Sequence, residues 1–467
     1  MPSRPIISSD KADSLQCAAI AYLTLPVVLV ELGWLAPWIG IPCAILTLWC
    51  VWPGCAFREK IPLWHLAGLA LAAIAIVAFT GISPLIANGS FMDLAKHRWL
   101  YNDLVRHDWP VVFHGGQERE ILRYGIGFYA VPALLSKLAG HPVQFLLCAW
   151  LALGVWIFLL LGTRHIERAT WVAFAAFILL FFSGLDVLGR LFLSAAMNEK
   201  LHIHIEEWAR IPFGWIMPSQ ENSLSLLPQH AVAAWLGASL IHQGWNKPWF
   251  KKRAVGIFTV LAFWSPFTAL SFAAIVAALH LRNIVAILST RNIAALAPLA
   301  LLAAYYRLGP FLQAEWNISE SHRLFEYAWR YALFVVLEFG VFVVAAYAVR
   351  RSIDPPAAAA AGLLLALPFL YVGRGNEIML HGTILPLTLM IFYVIDTLRL
   401  HERSVAKMAL KGLVIIGLTT GFSYAVIDAA RKPNPGDYEA SIASMPPELR
   451  PQYIAPLPES ASWLLRR

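Results

Sequence analysis

VQFLLCAWLALGVWIFLLLG, residues 143–162, carries no charged side chain from end to end. At about 1.5 Å of rise per residue the run makes a helix about 30 Å long, the thickness of a bilayer's hydrocarbon core. The same reading extends outward to residues 172–185, 331–349 and 384–398, which hold almost no charge. Lipid offers no hydrogen-bond partner to an open backbone, so such runs satisfy themselves as helices rather than as sheets. The fold class that follows is all-α: a polytopic transmembrane helical bundle of about eleven to thirteen spans joined by juxtamembrane loops.

Composition agrees, with 59% of the 467 residues hydrophobic and 14% charged. The net charge of +8 does not point to nucleic acid, because the basic residues sit in short connections. These are Arg58-Glu59-Lys60, Arg164 to Arg168, Lys247 with Lys251-Lys252-Arg253, Arg282 to Arg291, Arg350-Arg351, and Arg399 to Lys407. By the positive-inside rule they face the cytoplasm. That orientation places four loops outside, at 81–123, 183–230, 306–330 and 373–382, within one integral membrane domain, residues 1–431. A proline-rich tail, 432–467, lies outside with them, either disordered or forming a strap that ends in the amphipathic stretch 460–465. Residues 124–138 read better as a short juxtamembrane helix than as a full span, since this keeps all the large loops on one face. Ser265-Pro266 breaks residues 254–281 into a helical hairpin expected to turn inside the membrane, because proline removes a donor and disfavours helix at the residue before it. No cleavable signal peptide is read at the N-terminus. Cys17, Cys43, Cys50, Cys55 and Cys148 lie in or beside apolar runs and are expected to be core residues without chemistry. The 19 tryptophans read mainly as an interfacial belt; stacking on a sugar face is the weaker alternative, chiefly for Trp99 and Trp208.

Polar chemistry gathers in the outer loops. Written as a helix, the stretch from Phe91 to Leu104 puts Asp93, Lys96, His97 and Leu100 on one side. Asp93 follows a membrane exit, where a carboxylate can take a proton from an acceptor hydroxyl while a neighbouring cation holds a lipid phosphate. The same residue can equally cap a juxtamembrane helix. Asp103, Asp108, Glu118 and Glu120 rank below it as a solvated face. The second loop offers Asp186, then His202, His204, Glu206 and Trp208, then His230 at the start of a span. The His202/His204/Glu206 spacing is not that of the zinc hydrolases, and no metal site is assigned. Asp186 and His230, at membrane exits, are expected to line a cavity. In the last outer loop Arg374, between glycines, is suited to a phosphate, with Asn376, Glu377 and His381 after it. Glu31, Glu338 and Asp396 are carboxylates inside apolar runs, of which Glu338 lies deepest.

These motifs resemble those of the GT-C superfamily of multi-spanning bacterial glycosyltransferases. The resemblance rests on Phe91-Met92-Asp93 with Lys96-His97, Asp108-Trp109-Pro110, His204-Ile205-Glu206-Glu207-Trp208, Pro228-Gln229-His230 and Gly375-Asn376-Glu377. It implies a transferase at the outer face of the bacterial cytoplasmic membrane, moving a sugar from a polyprenyl-phosphate donor to a glycan, lipid or protein acceptor. It also implies that Asp93 is the catalytic base. Lys96, His97, Asp186, His204, Glu206, His230, Arg374, Asn376 and Glu377 would then surround the substrates. The second acid of the family's common Asp-Glu pair is Leu94 here, which bears on both activity and metal dependence. No organic cofactor is required, because the donor carries its own leaving group, and a divalent metal is left open. The rival readings are a lipid-linked glycan flippase or other transporter, expected to spread charge along its spans, and a polysaccharide polymerase or ligase, hinted at by Arg323 and Arg330.

Overall fold

The computed structural model describes residues 10–56, 60–85, 92–114, 119–197, 206–209, 214–307, 328–372, 376–430, 440–446, 449–457 and 464–465. Over these the chain is a multi-pass helical membrane protein. Six helices are long and apolar enough to cross a bilayer: Ser14–Trp34, Gln144–Thr163, Pro266–Ile287, Ala328–Arg350, Glu377–Leu398 and Val405–Ala430. A seventh crossing arises if Ala169–Phe181 and the helix that follows it, bent by 47°, are taken together. The expected eleven to thirteen spans counted apolar runs. The structure cuts several of those runs into helices of 10–17 residues, among them Pro37–Val51, Leu63–Ala78 and Pro355–Phe369.

In chain order, α1 (Ser14–Trp34), α2 (Pro37–Val51) and α3 (Leu63–Ala78) lead into the first large loop, which contains α4 (Met92–Arg106). Then come α5 (Gly127–Ala139), α6 (Gln144–Thr163), α7 (Ala169–Phe181), α8 (Asp186–Met197), α9 (Gln220–Leu226) and α10 (Pro228–Gly244). After a single turn, α11 (Pro248–Lys251), the chain forms α12 (Ala254–Trp264), α13 (Pro266–His280), α14 (Thr290–Ala294) and α15 (Leu296–Arg307). The last group is α16 (Ala328–Val335), α17 (Val341–Arg350), α18 (Pro355–Ala366), α19 (Glu377–Gly382), α20 (Ile384–Leu398) and α21 (Val405–Ala430). Apolar side chains stay exposed on the outer faces of α2, α3 and α21, such as Ile45, Leu71 and Ile415, where lipid replaces water as the solvent.

The loops sort to two ends. At one, Arg164 pairs with Asp13, Arg253 and Arg291 donate to the Trp52 carbonyl, and Arg399 donates to the His165 carbonyl. At the other, the 81–123 loop, the second loop and the tail meet: the Gly81 N–H donates to Ser225, Asp103 accepts from Ser441 and from the Ile442 N–H, and His97 reaches the Leu226 carbonyl. The strands Val112–Phe113, Glu120–Leu122 and Ile454–Pro456 make an antiparallel sheet that ties the tail to the first loop. Leu465 bridges to Leu35. The described part of the tail is therefore a strap.

α5 stays at this loop-rich end. Tyr129 on its first turns bonds His97, and Ser136 near its other end bonds Tyr101, both partners being on α4. Its 13 residues make only about 20 Å of helix, too short to cross. The break at Ser265 gives a hairpin whose two feet meet at the basic end, where Asn292 and Ser289 donate to the carbonyls of Lys251 and Lys252. Ser265 caps α13 by accepting the Thr268 N–H.

The cysteines correct an expectation. Cys43, Cys50 and Cys148 are buried thiols, but Cys17 and Cys55 are joined in a disulfide. The parallel pairing of Ala12–Asp13 with Cys55–Ala56 brings them together, a contact that neither apolar run announces.

Candidate functional site

Asp93 lies in the first turn of α4; its side chain lies outside the described residues, as do His202, His204, Glu118, Arg323 and Arg374. The backbone of that turn is fixed by a close approach. A Cβ built on Gly81 would stand 2.1 Å from a methyl of Leu94, so Gly81 presses directly on the residue after Asp93. The Gly81 N–H donates to Ser225 Oγ at 3.1 Å, and Ser225 in turn donates to the Asp428 carboxylate on α21.

Lys96, His97, His230 and Glu377 come together with His381. Both nitrogens of the fully buried His97 are engaged: Nε2 lies 3.0 Å from the Leu226 carbonyl, and Nδ1 lies 2.6 Å from the Tyr129 hydroxyl. A carbonyl only accepts, so Nε2 carries a proton. His97 thus fastens α4 to α5 and α9. Lys96, buried one residue before it, lies within electrostatic reach of His230.

His230 is in the first turn of α10, where its ring lies flat on that of His381, with centroids 3.8 Å apart and planes 12° from parallel. Its Nδ1 is 2.6 Å from Ser265 Oγ at the hairpin apex. That oxygen already accepts an N–H, so its own proton is available to the ring. His381 Nδ1 stands 3.4 Å from Glu377. Four elements (α4, α10, the hairpin apex and α19) thereby converge on one histidine pair.

Asp186 and Glu206 form a second group, Glu206 bonding the start of α9 whereas His97 bonds its last residue. Ser183 donates to Asp186, while Glu206 accepts the Ser219 N–H at 2.9 Å and the Asn222 amide at 2.6 Å. Burial, and then the neighbouring Asp186 charge, push the Glu206 carboxyl above the ordinary range. Glu338 borders this group: it sits in a π-helical turn, Val336–Gly340, and its carboxylate packs on Gly184 in the bend between α7 and α8. Asn376, at positive φ, accepts the Val372 N–H through its side chain and so closes its own turn. Among the described residues no three His, Cys, Asp or Glu side chains converge as metal ligands.

Sequence reasoning missed Ser265, Tyr129 and Asp428 as partners, and left His381 out of the expected site. The proline at 266 signalled the break that delivers Ser265 but could not show what it would touch. A further feature had no sequence signal: an apolar groove of about 620 Å³ running between α3, α7 and α21. Gly68, Ala72, Ala173 and Ala176 open it, and Phe79, Phe181, Phe422 and Ala429 line its loop-rich end. Phe79 is two residues from Gly81, and Ala429 follows Asp428, so the groove ends beside the first turn of α4.

No family model, no curated protein and no solved structure matches this chain.

Proposed function

We propose that the protein is a GT-C-like membrane glycosyltransferase that takes a sugar from a polyprenyl-phosphate donor and passes it to an acceptor hydroxyl at the loop-rich face. The observation that carries this reading is the groove. A polyprenyl chain is too long and too apolar to lie in water, and a furrow of small residues between helices gives it a bed within the membrane. The furrow ends where α4 begins, which brings a lipid's phosphate and sugar to the level of Asp93. In the reaction the Asp93 carboxylate takes the proton of the acceptor hydroxyl, and that oxygen attacks the anomeric carbon. The bond from that carbon to the phosphate oxygen then breaks, and the lipid phosphate leaves with its electron pair. Lys96 is the described cation nearest the start of α4. The histidine pair with Glu377, and the Asp186/Glu206 group, frame the space around α9.

The test is transfer of labelled sugar from a panel of polyprenyl-phosphate donors in vesicles containing the protein. Asp93→Asn is expected to lower transfer by about a hundredfold or more, the scale on which a general base contributes, and Ala173→Trp, which fills the groove, to raise the donor's apparent KM. Transfer unaffected by both substitutions would end the proposal. One observation favours a transporter instead: Glu338, buried in a π turn against a bent helix pair, is the arrangement expected of a proton or ion path. Movement of intact lipid-linked glycan that depends on Glu338, without sugar transfer, would establish that reading.

A further inference from the structure

At the opposite end of the bundle a second cavity, of about 250 Å³, opens where the C-terminal ends of α6, α10 and α20 meet. It is lined by the cations Arg164, Lys247 and Arg399 with His242, Gln243 and Asp396, beside the apolar Phe392 and Ile395. We propose that this cavity is a binding site for a phosphate ester, supplied by an anionic phospholipid headgroup or by a soluble phosphate.

The charges around it support an anion. Arg164 is held by Asp13 at 2.7 Å, and Arg399 stands 3.5 Å from Asp396, which also lies 3.5 Å from His242. Two carboxylates therefore face three permanent cations, and the exposed Lys247 makes no ion pair among the described residues. The field is positive at the outer His165, which is pulled down to about 4 by burial and then by Arg164 and Arg399 against the weaker pull of Asp13 and Asp396, whereas at His242 the carboxylates of Asp396 and Asp354 act more strongly than Arg164 and Arg350. Cations beside apolar side chains match a molecule that joins a phosphate to hydrocarbon. Basic pockets between helices on the cytoplasmic side are where such headgroups settle, and this is the end that carries the basic loops.

The experiment uses the purified full chain in a neutral detergent, titrated with dihexanoyl-phosphatidylglycerol, dihexanoyl-phosphatidylcholine or inorganic phosphate, with binding read by native mass spectrometry and by thermal shift. The anionic lipid is expected to bind about fivefold or more tighter than the zwitterionic one, and Lys247→Glu to remove that preference, one surface cation being worth about this factor. Competition by inorganic phosphate identifies a soluble ester as the source; preference without competition identifies the lipid. Arg399→Gln is expected to act in the same direction. Because Arg399 also ties down the His165 carbonyl, the exposed Lys247 is the decisive position. Equal binding of the two lipids, or a preference unchanged in Lys247→Glu, would overturn the proposal.

Discussion

Asp103 and Arg164 each anchor an end of the bundle, and they do so by different physics. Asp103, on α4, accepts hydrogen bonds from Ser441 and the Ile442 N–H, and so fixes a tail more than three hundred positions further along the chain. Arg164, at the end of α6, holds Asp13 through an ion pair. The loop-rich end is built largely of hydrogen bonds, most of them buried, from Ser225 to Asp428, between Tyr129 and His97, between Ser265 and His230 and from Asn222 to Glu206, beside the ion pair of Arg450 with Glu120. The basic end uses guanidinium groups on carboxylates and on exposed carbonyls. Loops that must hold a shaped site need directional contacts that fail when one partner is lost, because the other is left buried and unpaired. Loops that only fix orientation can rely on charge, which is long-ranged and tolerant of position.

The contrast is broken most severely by removing the close helix contact beneath the loop-rich end. A Cβ on Gly421 would lie 2.3 Å from the Phe181 carbonyl oxygen, a backbone atom that cannot step aside. Gly421→Leu is expected to cost about 3 kcal/mol or more and to lower the melting temperature in detergent accordingly. Gly412→Leu on the same helix, with nothing within 4 Å of its added Cβ, serves as the control and is expected to stay within about 0.5 kcal/mol of the parent. A smaller effect is expected from Asp103→Ala. It strands the Ile442 N–H and the Ser441 hydroxyl at a cost of about 1–3 kcal/mol, and it should be read by faster proteolysis of the tail with the transmembrane helices still folded. A tail as resistant as the parent's would mean that its other ties, the sheet at Ile454–Pro456, the Arg450–Glu120 ion pair and the Leu35–Leu465 bridge, hold the strap without Asp103.

How much of this was legible in the sequence depends on the distance over which each signal acts. The Ser265-Pro266 break could be read because proline acts on its own helix and the residue before it. The brevity of α5 followed from where the basic loops had to lie. Polar residues at membrane exits, Asp186 and His230, could be picked out because lipid penalises them locally. Their partners could not: whether His230 stacks on His381 or Asp428 receives Ser225 depends on how helices far apart in sequence pack. The disulfide between Cys17 and Cys55 and the groove between α3, α7 and α21 were hidden for the same reason. A small residue on a lipid-facing helix reads identically whether it packs against a neighbour or leaves a furrow beside it.

The subtlest difference between the ends is the sign of their response to pH. Burial raises the Asp103 and Glu206 carboxyls, for Glu206 with the added charge of Asp186. A carboxyl raised in the folded state binds its proton more tightly there than in the unfolded chain. Its stabilising contribution is therefore complete at pH values below the unfolded pKa and is lost as the pH rises through the folded one. His165 works the other way. Its folded pKa, about 4, lies below the unfolded value of 6.5, so its contribution is present above 6.5 and is lost as the pH falls toward about 4. Glu206→Gln should remove a fall in melting temperature as the pH rises from the ordinary carboxylate range to about 8, whereas His165→Gln should remove a rise between about 4 and 6.5. His165 is partly open to solvent, so its change is expected to be the smaller. If both substitutions removed a slope of the same sign, the two ends would be one coupled electrostatic unit, and the division into a hydrogen-bonded face and an ionic face would have to be abandoned.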